Sequence, residues 1–427
     1  MTETPQEVLL RRWGHGSFKP LQQEAVEAAL SGRDCLVVLP TGGGKSLCYQ
    51  LPAAMGVGLV LVVSPLNSLM DDQVAAARRA GLAADALHSN IDPAGRGEAY
   101  RRLMHGRTEL LYVSPERLLA GDLISDISAR LVLAAVDEAH CISHWGHDFR
   151  PEYRRLAEVL KRAPKAARMA LTATATPAVQ GDIREQLALR EPALLIGHPD
   201  RANLVYRAFP RRDRSKQVLE VVRRNASEGG IVYARTRRGV ESLAADLQEA
   251  GVSCAAYHAG LPASARRRAQ EEFVNERLDV IIATVAFGMG IDRADVRYVV
   301  HADAPRSVEH YQQESGRAGH DGRPAECVLL FSASDLSRYR RWARKDDGLS
   351  PERSRALDDQ LRGIGRYATA SSCRHRLLAE HFGASYPPGK GCGACDVCLG
   401  ETKLLKVLCA AWRAGGGMLQ AFGLLMD

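Results

Sequence analysis

The segment Leu39-Pro40-Thr41-Gly42-Gly43-Gly44-Lys45-Ser46 follows directly on the apolar run CLVVL and precedes a helical pattern. No other stretch constrains the fold as strongly. Successive glycines let backbone N–H groups turn inward around an anion, and the helix that starts behind them adds positive potential. In such a cradle Lys45 reaches the β and γ phosphates of a nucleotide and the Ser46 hydroxyl ligates Mg²⁺. The strict phosphate-loop pattern has glycine where Leu39 stands, so the match is to a variant of it. A strand–loop–helix of this kind requires a parallel sheet to hold it.

The rest of the chain supplies that sheet twice. Strand-length apolar runs, CLVVL from Cys35, GLVLVV from Gly58, LLYV from Leu110, LVLAAV from Leu131 and MALTAT from Met169, alternate with helical patterns. Such alternation predicts a parallel sheet covered by helices on both faces. A weakly periodic stretch from Leu189 to Ser215, with prolines and arginines, reads as a connection. The alternation then resumes with IVYA from Ile231, CAAY from Cys254, DVIIAT from Asp279, RYVVHA from Arg297 and ECVLLF from Glu326. The predicted organisation is a first α/β lobe over 1–203, a second over 204–335, a helical and cysteine-bearing domain over 336–403, and a tail over 404–427. A length of 427 residues accommodates about three domains.

Asp137-Glu138-Ala139-His140 ends the apolar run LVLAAV, about 90 residues after the phosphate loop. A carboxylate at the end of a buried strand can hold Mg²⁺ through water, and its neighbour can activate an attacking water. Asp137 is expected in the first role and Glu138 in the second. Cys373, Cys392, Cys395 and Cys398 form the pattern C-x18-C-x2-C-x2-C, which suits one tetrahedral Zn²⁺ in a structural site. A disulfide pair is the alternative, opposed by the short spacing and by a reducing compartment. The remaining cysteines, Cys35, Cys48, Cys141, Cys254, Cys327 and Cys409, read as small core residues. Basic Arg374, His375, Arg376 and Lys390 beside the cluster read as solvated charges, and His375 and His381 as superfluous to a complete ligand set.

Taken in order, PTGGGKS, SPLNSLMDDQ, SPERL, DEAHCISHWGHDFRPEY, LTATAT, IVYARTR, YHAGL, ATVAFGMGIDRADVR and QESGRAGHDG resemble the motif set of superfamily 2 helicases. The aromatic-rich loop after DEAH and the cysteine cluster after the second lobe resemble the RecQ family within it, over Trp13 to Gly400. The resemblance implies two RecA-like lobes of the P-loop NTPase type plus a small helical zinc-binding domain. It implies an ATP hydrolase that moves 3′ to 5′ on single-stranded DNA and unwinds tailed duplexes, in DNA repair and recombination.

It also assigns residues. Gln22 would hydrogen-bond the adenine edge, with His15 where an aromatic residue usually stacks and Lys19 where arginine is usual. Trp145 and Phe149 would stack on bases, worth ~1–3 kcal/mol each, with Arg150 pairing a phosphate. Ser64 and Pro65 resemble a loop that tracks the DNA backbone, as does SPERL from Ser114. Thr172-Ala173-Thr174 resembles the segment that couples hydrolysis to lobe movement. Arg317 would stabilise transition-state charge, and Asp292 would lie at the same cleft. At His320 the family carries a second arginine. Histidine is shorter and only partly charged near neutral pH, which implies slow or pH-sensitive hydrolysis.

Lys and Arg exceed Asp and Glu by 57 to 50, a net +7, which fits an anionic partner. No apolar run reaches the ~18–20 residues of a membrane span, and the N-terminus carries no secretory pattern. A cytoplasmic monomer with no membrane partner is expected. Residues 404–427 resemble the first helix of a winged helix, a domain with which longer family members continue. Two other readings stay open: a nucleotide-regulated DNA-binding module with weak turnover, motivated by His320 and the absent winged helix, and an RNA-directed helicase, which DEAH alone would permit.

Overall fold

A computed structural model describes residues 3–146, 148–287, 293–343, 350–387, 389 and 391–401. Asp292, Lys390, Cys409 and the tail from 404 to 427 lie outside them. The chain divides into two compact units, Met1–Pro199 and Asp200–Asp427.

The first unit is built on a seven-stranded sheet: β1 (Cys35–Val38), β2 (Leu59–Val63), β3 (Ala84–Leu87), β4 (Leu110–Val113), β5 (Leu131–Val136), β6 (Ala167–Thr172) and β7 (Ala193–Ile196), in the order β3-β4-β2-β5-β6-β1-β7. Every pairing is parallel. Along β1, Leu36 and Val38 enter one hydrophobic cluster and Cys35 and Val37 the other. Both faces are covered, so these strands read as continuous apolar runs without polar alternation. In β2 all five residues are buried, each contributing about 1.5–3 kcal/mol of burial.

The second unit repeats the plan with β8 (Leu204–Pro210), β9 (Gly229–Tyr233), β10 (Cys254–Tyr257), β11 (Val280–Ala283), β12 (Val296–His301) and β13 (Ala325–Phe331), again all parallel, in the order β10-β11-β9-β12-β13-β8. Its core does not stop at the last strand. Ile364, Tyr367, Leu378 and Phe382 from the C-terminal helices, with Cys373 and Cys395, join the cluster that contains Tyr206 and Tyr311.

Each expected apolar run is a strand. Three strands were not expected. The segment read as a connection from Leu189 to Ser215 contains β7 and β8. Both are edge strands of their sheets. In β8 every second residue is buried, Leu204, Tyr206 and Ala208, while Val205, Arg207 and Phe209 are half-buried; in β7 the residues alternate between half-buried and exposed. Interleaved Arg207 hides β8 from a search for continuous apolar runs. β3, ADAL, is short and carries the buried Asp85, which accepts hydrogen bonds from Thr108, Arg78 and Arg102.

Candidate nucleotide, DNA and zinc sites

The phosphate loop runs from β1 to the helix Leu47–Ala54, with Ser46 at its N-cap. Gly42 and Gly44 take φ of 79° and 73°, a region that glycine adopts without strain. A side chain at Gly43 would meet the Pro40 carbonyl at 2.8 Å, and one at Gly44 would run into Gln22. Thr41, Lys45 and Ser46 are half-buried on this loop. The segment assigned to adenine recognition touches the loop directly. Gln22 Nε2 donates to the carbonyls of Gly43 and Gly44 at 3.1 and 3.0 Å, and its Oε1 accepts from the Lys19 backbone at 2.8 Å. Lys19 Nζ donates to the Gly42 carbonyl at 2.8 Å. Gln22 is buried, whereas His15 is exposed with its ring at the surface.

In the sheet order β5, β6 and β1 are neighbours, so the loops after their carboxyl ends open on one edge, where α/β sheets bind ligands. Asp137 and Glu138 follow β5, and Thr172 ends β6. Burial and the adjacent Glu138 carboxylate push the Asp137 carboxyl up to about 6, against the pull of the Lys45 ammonium. Glu138 sits in the left-handed region, φ 48° and ψ 44°, with its backbone N–H on Asp137 Oδ1 at 2.9 Å. His140 is buried between the two motifs. Its Nδ1 lies 3.2 Å from Glu138 Oε2 and 3.0 Å from Thr172 Oγ1. Thr172 Oγ1 in turn bonds the Thr174 backbone. Burial opposes a charge on His140, but the Cys141 sulfur and the Glu138 carboxylate outweigh it and raise the imidazole to about 10. Sequence reading gave His140 no role, although its place in DEAH was the available signal.

In the aromatic loop Trp145 is 48% exposed, and Phe149 stacks on His144 with centroids 4.0 Å apart. Arg150 is half-buried and donates to the Pro65 carbonyl at 2.9 Å and to Asp148 at 3.4 Å. It therefore ties the aromatic loop to the SPLNS segment. Ser64 and Pro65 are themselves buried, so Asn67 and the exposed Ser68 present that segment to solvent. Ser114 caps the helix Pro115–Leu119 by accepting from the Arg117 backbone.

In the second unit Arg317 is half-buried near the Tyr233 hydroxyl. Burial holds the Tyr233 phenol well above its usual range, opposed by the Arg317 guanidinium. His320 Nε2 bonds the Gly316 carbonyl at 2.9 Å, and since a carbonyl only accepts, this nitrogen carries the proton.

The sulfurs of Cys373, Cys392, Cys395 and Cys398 all lie within 4.8 Å of one another. Tetrahedral Zn–S bonds of about 2.3 Å need sulfurs roughly 3.8 Å apart, so the set fits the ion. Backbone N–H groups of Ala394 and Cys398 point at the sulfurs of Cys392 and Cys395, at 3.3 and 3.5 Å. A side chain at Gly391 would stand 2.9 Å from the Cys398 sulfur. Burial opposes ionisation of Cys373, but N–H groups of Arg376 and Cys392 bring it down to about 7.

The basic residues beside the cluster need correction. Arg374 and His375 are buried, at 2% and 1% exposure, not solvated. Arg374 forms a two-pronged ion pair with Asp396, at 2.9 and 3.0 Å, and His375 pairs with Asp200. Asp396 also accepts from the Ala208 backbone, and Tyr206 in β8 bridges to Cys395. The expectation failed because the compensating carboxylate lies 22 residues away, between two zinc ligands. His381 bonds Glu309 at 2.7 Å, in agreement with a four-cysteine set.

Comparison with known proteins agrees with this layout. Residues 19–183 match the DEAD/DEAH box helicase family, 213–322 the helicase conserved C-terminal domain, and 333–399 the RecQ zinc-binding family. The chain is 41% identical to the ATP-dependent DNA helicase RecQ of Haemophilus influenzae, over 97% of this chain and 67% of that protein. It is 39% identical to the protein of the same name from Bacillus subtilis, over 93% and 67%. The chain thus spans about two thirds of their length. Among solved structures, Mycobacterium smegmatis helicase Lhr bound to ssDNA and AMP-PNP is similar with a TM-score of 0.62 at 21% identity, covering 88% of this chain and 55% of that one. DEAD-box helicase Mss116 bound to ssRNA has a TM-score of 0.66 at 15% identity, covering 88% and 89%. At those identities the likeness is one of fold.

Proposed function

The chain belongs to the RecQ family of ATP-dependent DNA helicases, and from that premise we propose that it couples ATP hydrolysis to 3′-to-5′ translocation on single-stranded DNA and to unwinding of tailed duplexes, in DNA repair and recombination. One observation carries the reading. The phosphate loop, the DEAH carboxylates and the Thr172–Thr174 segment leave neighbouring strands at one sheet edge, and buried His140 joins the last two. A change at the bound nucleotide then reaches Thr172 through the Glu138–His140 ion pair and the His140–Thr172 hydrogen bond, which share one imidazole nitrogen.

In this reading Lys45 neutralises the β and γ phosphates, and Ser46 and Asp137 would hold a Mg²⁺ ion. Held there, Mg²⁺ would supply neutralisation of the phosphate charge. Glu138 accepts the proton of the attacking water, and Arg317 stabilises the charge that develops on the transferred phosphoryl group. Gln22 would read adenine by exchanging its bonds to the Gly43 and Gly44 carbonyls and the Lys19 N–H for the base edge, with His15 and Lys19 in the same segment, and Gly42, Gly43, Gly44 and Thr41 line the phosphates. Trp145 and Phe149 stack on bases. The four cysteines would hold Zn²⁺ with no position left open, the arrangement of a structural site.

Strand separation tests the polarity. With ATP and Mg²⁺, a 3′-tailed duplex should be separated and a 5′-tailed one left intact; the opposite pattern contradicts the assigned direction. Hydrolysis with no separation of either substrate would favour a nucleotide-regulated DNA-binding module. His320 favours that second reading, because its Nε2 proton is committed to the Gly316 carbonyl.

A further inference from the structure

Among the described residues each unit exposes one tryptophan: Trp145, in the loop after β5, and Trp342, on the helix after β13. The sheet orders β3-β4-β2-β5-β6-β1 and β10-β11-β9-β12-β13-β8 correspond position by position, which makes β2 the counterpart of β9. After β2 comes SPLNS, held by Arg150 of the loop that exposes Trp145. After β9 comes Arg235, and beside it lies Trp342, 47% exposed, on the helix Ala333–Ala343.

The second arrangement is built rather than incidental. Arg235 is fixed by Asp335 at 2.9 Å, and its backbone N–H by Asp303 at 3.0 Å. Its guanidinium lies 5.4 Å from the Trp342 ring centroid and 5.7 Å from that of Tyr339. Tyr339 is anchored through its hydroxyl to the Ala304 carbonyl and meets Trp342 edge-on at 5.9 Å. The indole is thus braced from one side while almost half its surface stays open. Arg338 stands one turn before it and Arg341 immediately before it. Both are exposed and make no ion pair among the described residues, whereas Arg340 is paired with Asp358. A braced, open aromatic face between two uncommitted guanidinium groups matches single-stranded nucleic acid, with a base on the ring and phosphates on the arginines.

We propose that Trp342, braced by Arg235 and Tyr339 and flanked by Arg338 and Arg341, is a second stacking platform for single-stranded DNA, on the C-terminal unit. This rests on the proposed DNA-translocating function and adds a contact point to it. Neither Tyr339 nor Trp342 belongs to the motifs that carry the family resemblance.

The test is binding of fluorescein-labelled oligo-dT by the full chain as a function of salt, with thermal melting as a control. Trp342→Ala should weaken affinity roughly tenfold with an unchanged salt slope, and Trp342→Phe should retain most of it. Arg338→Gln combined with Arg341→Gln should lower the slope by about 1.4, since each phosphate contact on a single strand contributes ~0.7. If Trp342→Ala lowers the melting temperature, the double arginine change, which removes no packing, decides through the slope. A parent that binds oligo-dT tightly while Trp342→Ala and the arginine pair bind equally well overturns the platform alone. A parent that does not bind oligo-dT overturns the proposed function and the platform with it.

Discussion

Glu138 pays for its position: a left-handed backbone costs a residue with a side chain about 1–3 kcal/mol, and such strain persists only where the surroundings hold it. Here the Asp137 carboxylate holds its N–H and His140 its side chain. Glu138→Gln keeps the shape but loses the proton acceptor, so single-turnover hydrolysis should fall at least a hundredfold while nucleotide binding persists. An unchanged rate would remove Glu138 from the mechanism. His320→Arg should raise kcat, because arginine reaches further and stays charged; a slow parent whose rate does not rise refutes the arginine-deficit account. Arg374→Met leaves Asp396 buried and unpaired and should cost about 3–5 kcal/mol in denaturant unfolding. The clustering of the four cysteines was legible in sequence because a shared metal demands fixed spacing, and the same logic picks out Lys45, Asp137 and Glu138 as candidates. Arg374 and Asp396 were not, since their pairing depends on how a distant loop folds back on β8.

Among the elements, β8 carries the most consequence. As an edge strand it would expose an unpaired row of backbone groups. The cysteine cluster covers part of that row: the Tyr206 N–H donates to the Ala394 carbonyl, and the Asp396 N–H to the Tyr206 carbonyl. The zinc ligands are thus part of the second lobe's core. Chelation should therefore not only unfold residues 373–399 but also raise hydrogen exchange in Leu204–Pro210; protection of β8 that survives metal removal would separate the two. The helices Val308–Ser315 and Arg374–His381 are joined by Glu309 and His381. Burial of Glu309 opposes its charge, but His381 and Ser307 outweigh it and hold the carboxyl down to about 2, from 4.5. A depressed carboxyl contributes stability above its unfolded value and loses it as pH falls through its folded value, so about 3 kcal/mol should disappear between roughly pH 4.5 and pH 2. His381→Ala should flatten that part of the acid unfolding curve, and an unaltered curve would show the pair contributes nothing. β8 escaped sequence reading because Arg207 interrupts its apolar residues on the face where it pairs with Glu326 and Glu401.

At the scale of the molecule, one sheet plan is used twice, and only the first copy carries a phosphate loop. The second copy offers Arg317 and the Trp342 platform, and no helix among the described residues is long and apolar enough to cross a membrane. Repeated strand–helix alternation made both lobes legible, and the ordered motifs named the family. The sequence could not show that His140 bridges two motifs or that the cysteine cluster shares a core with the second lobe, because both depend on side chains meeting across long separations. The central claim is that polynucleotide binding and hydrolysis are coupled in this chain with preference for DNA. The steady-state ATPase rate should therefore be measured with single-stranded DNA, with single-stranded RNA of the same sequence, and with neither. The account expects a large rise with DNA and a much smaller one with RNA. A rate indifferent to DNA would contradict the motor, and equal stimulation by RNA would contradict the DNA preference.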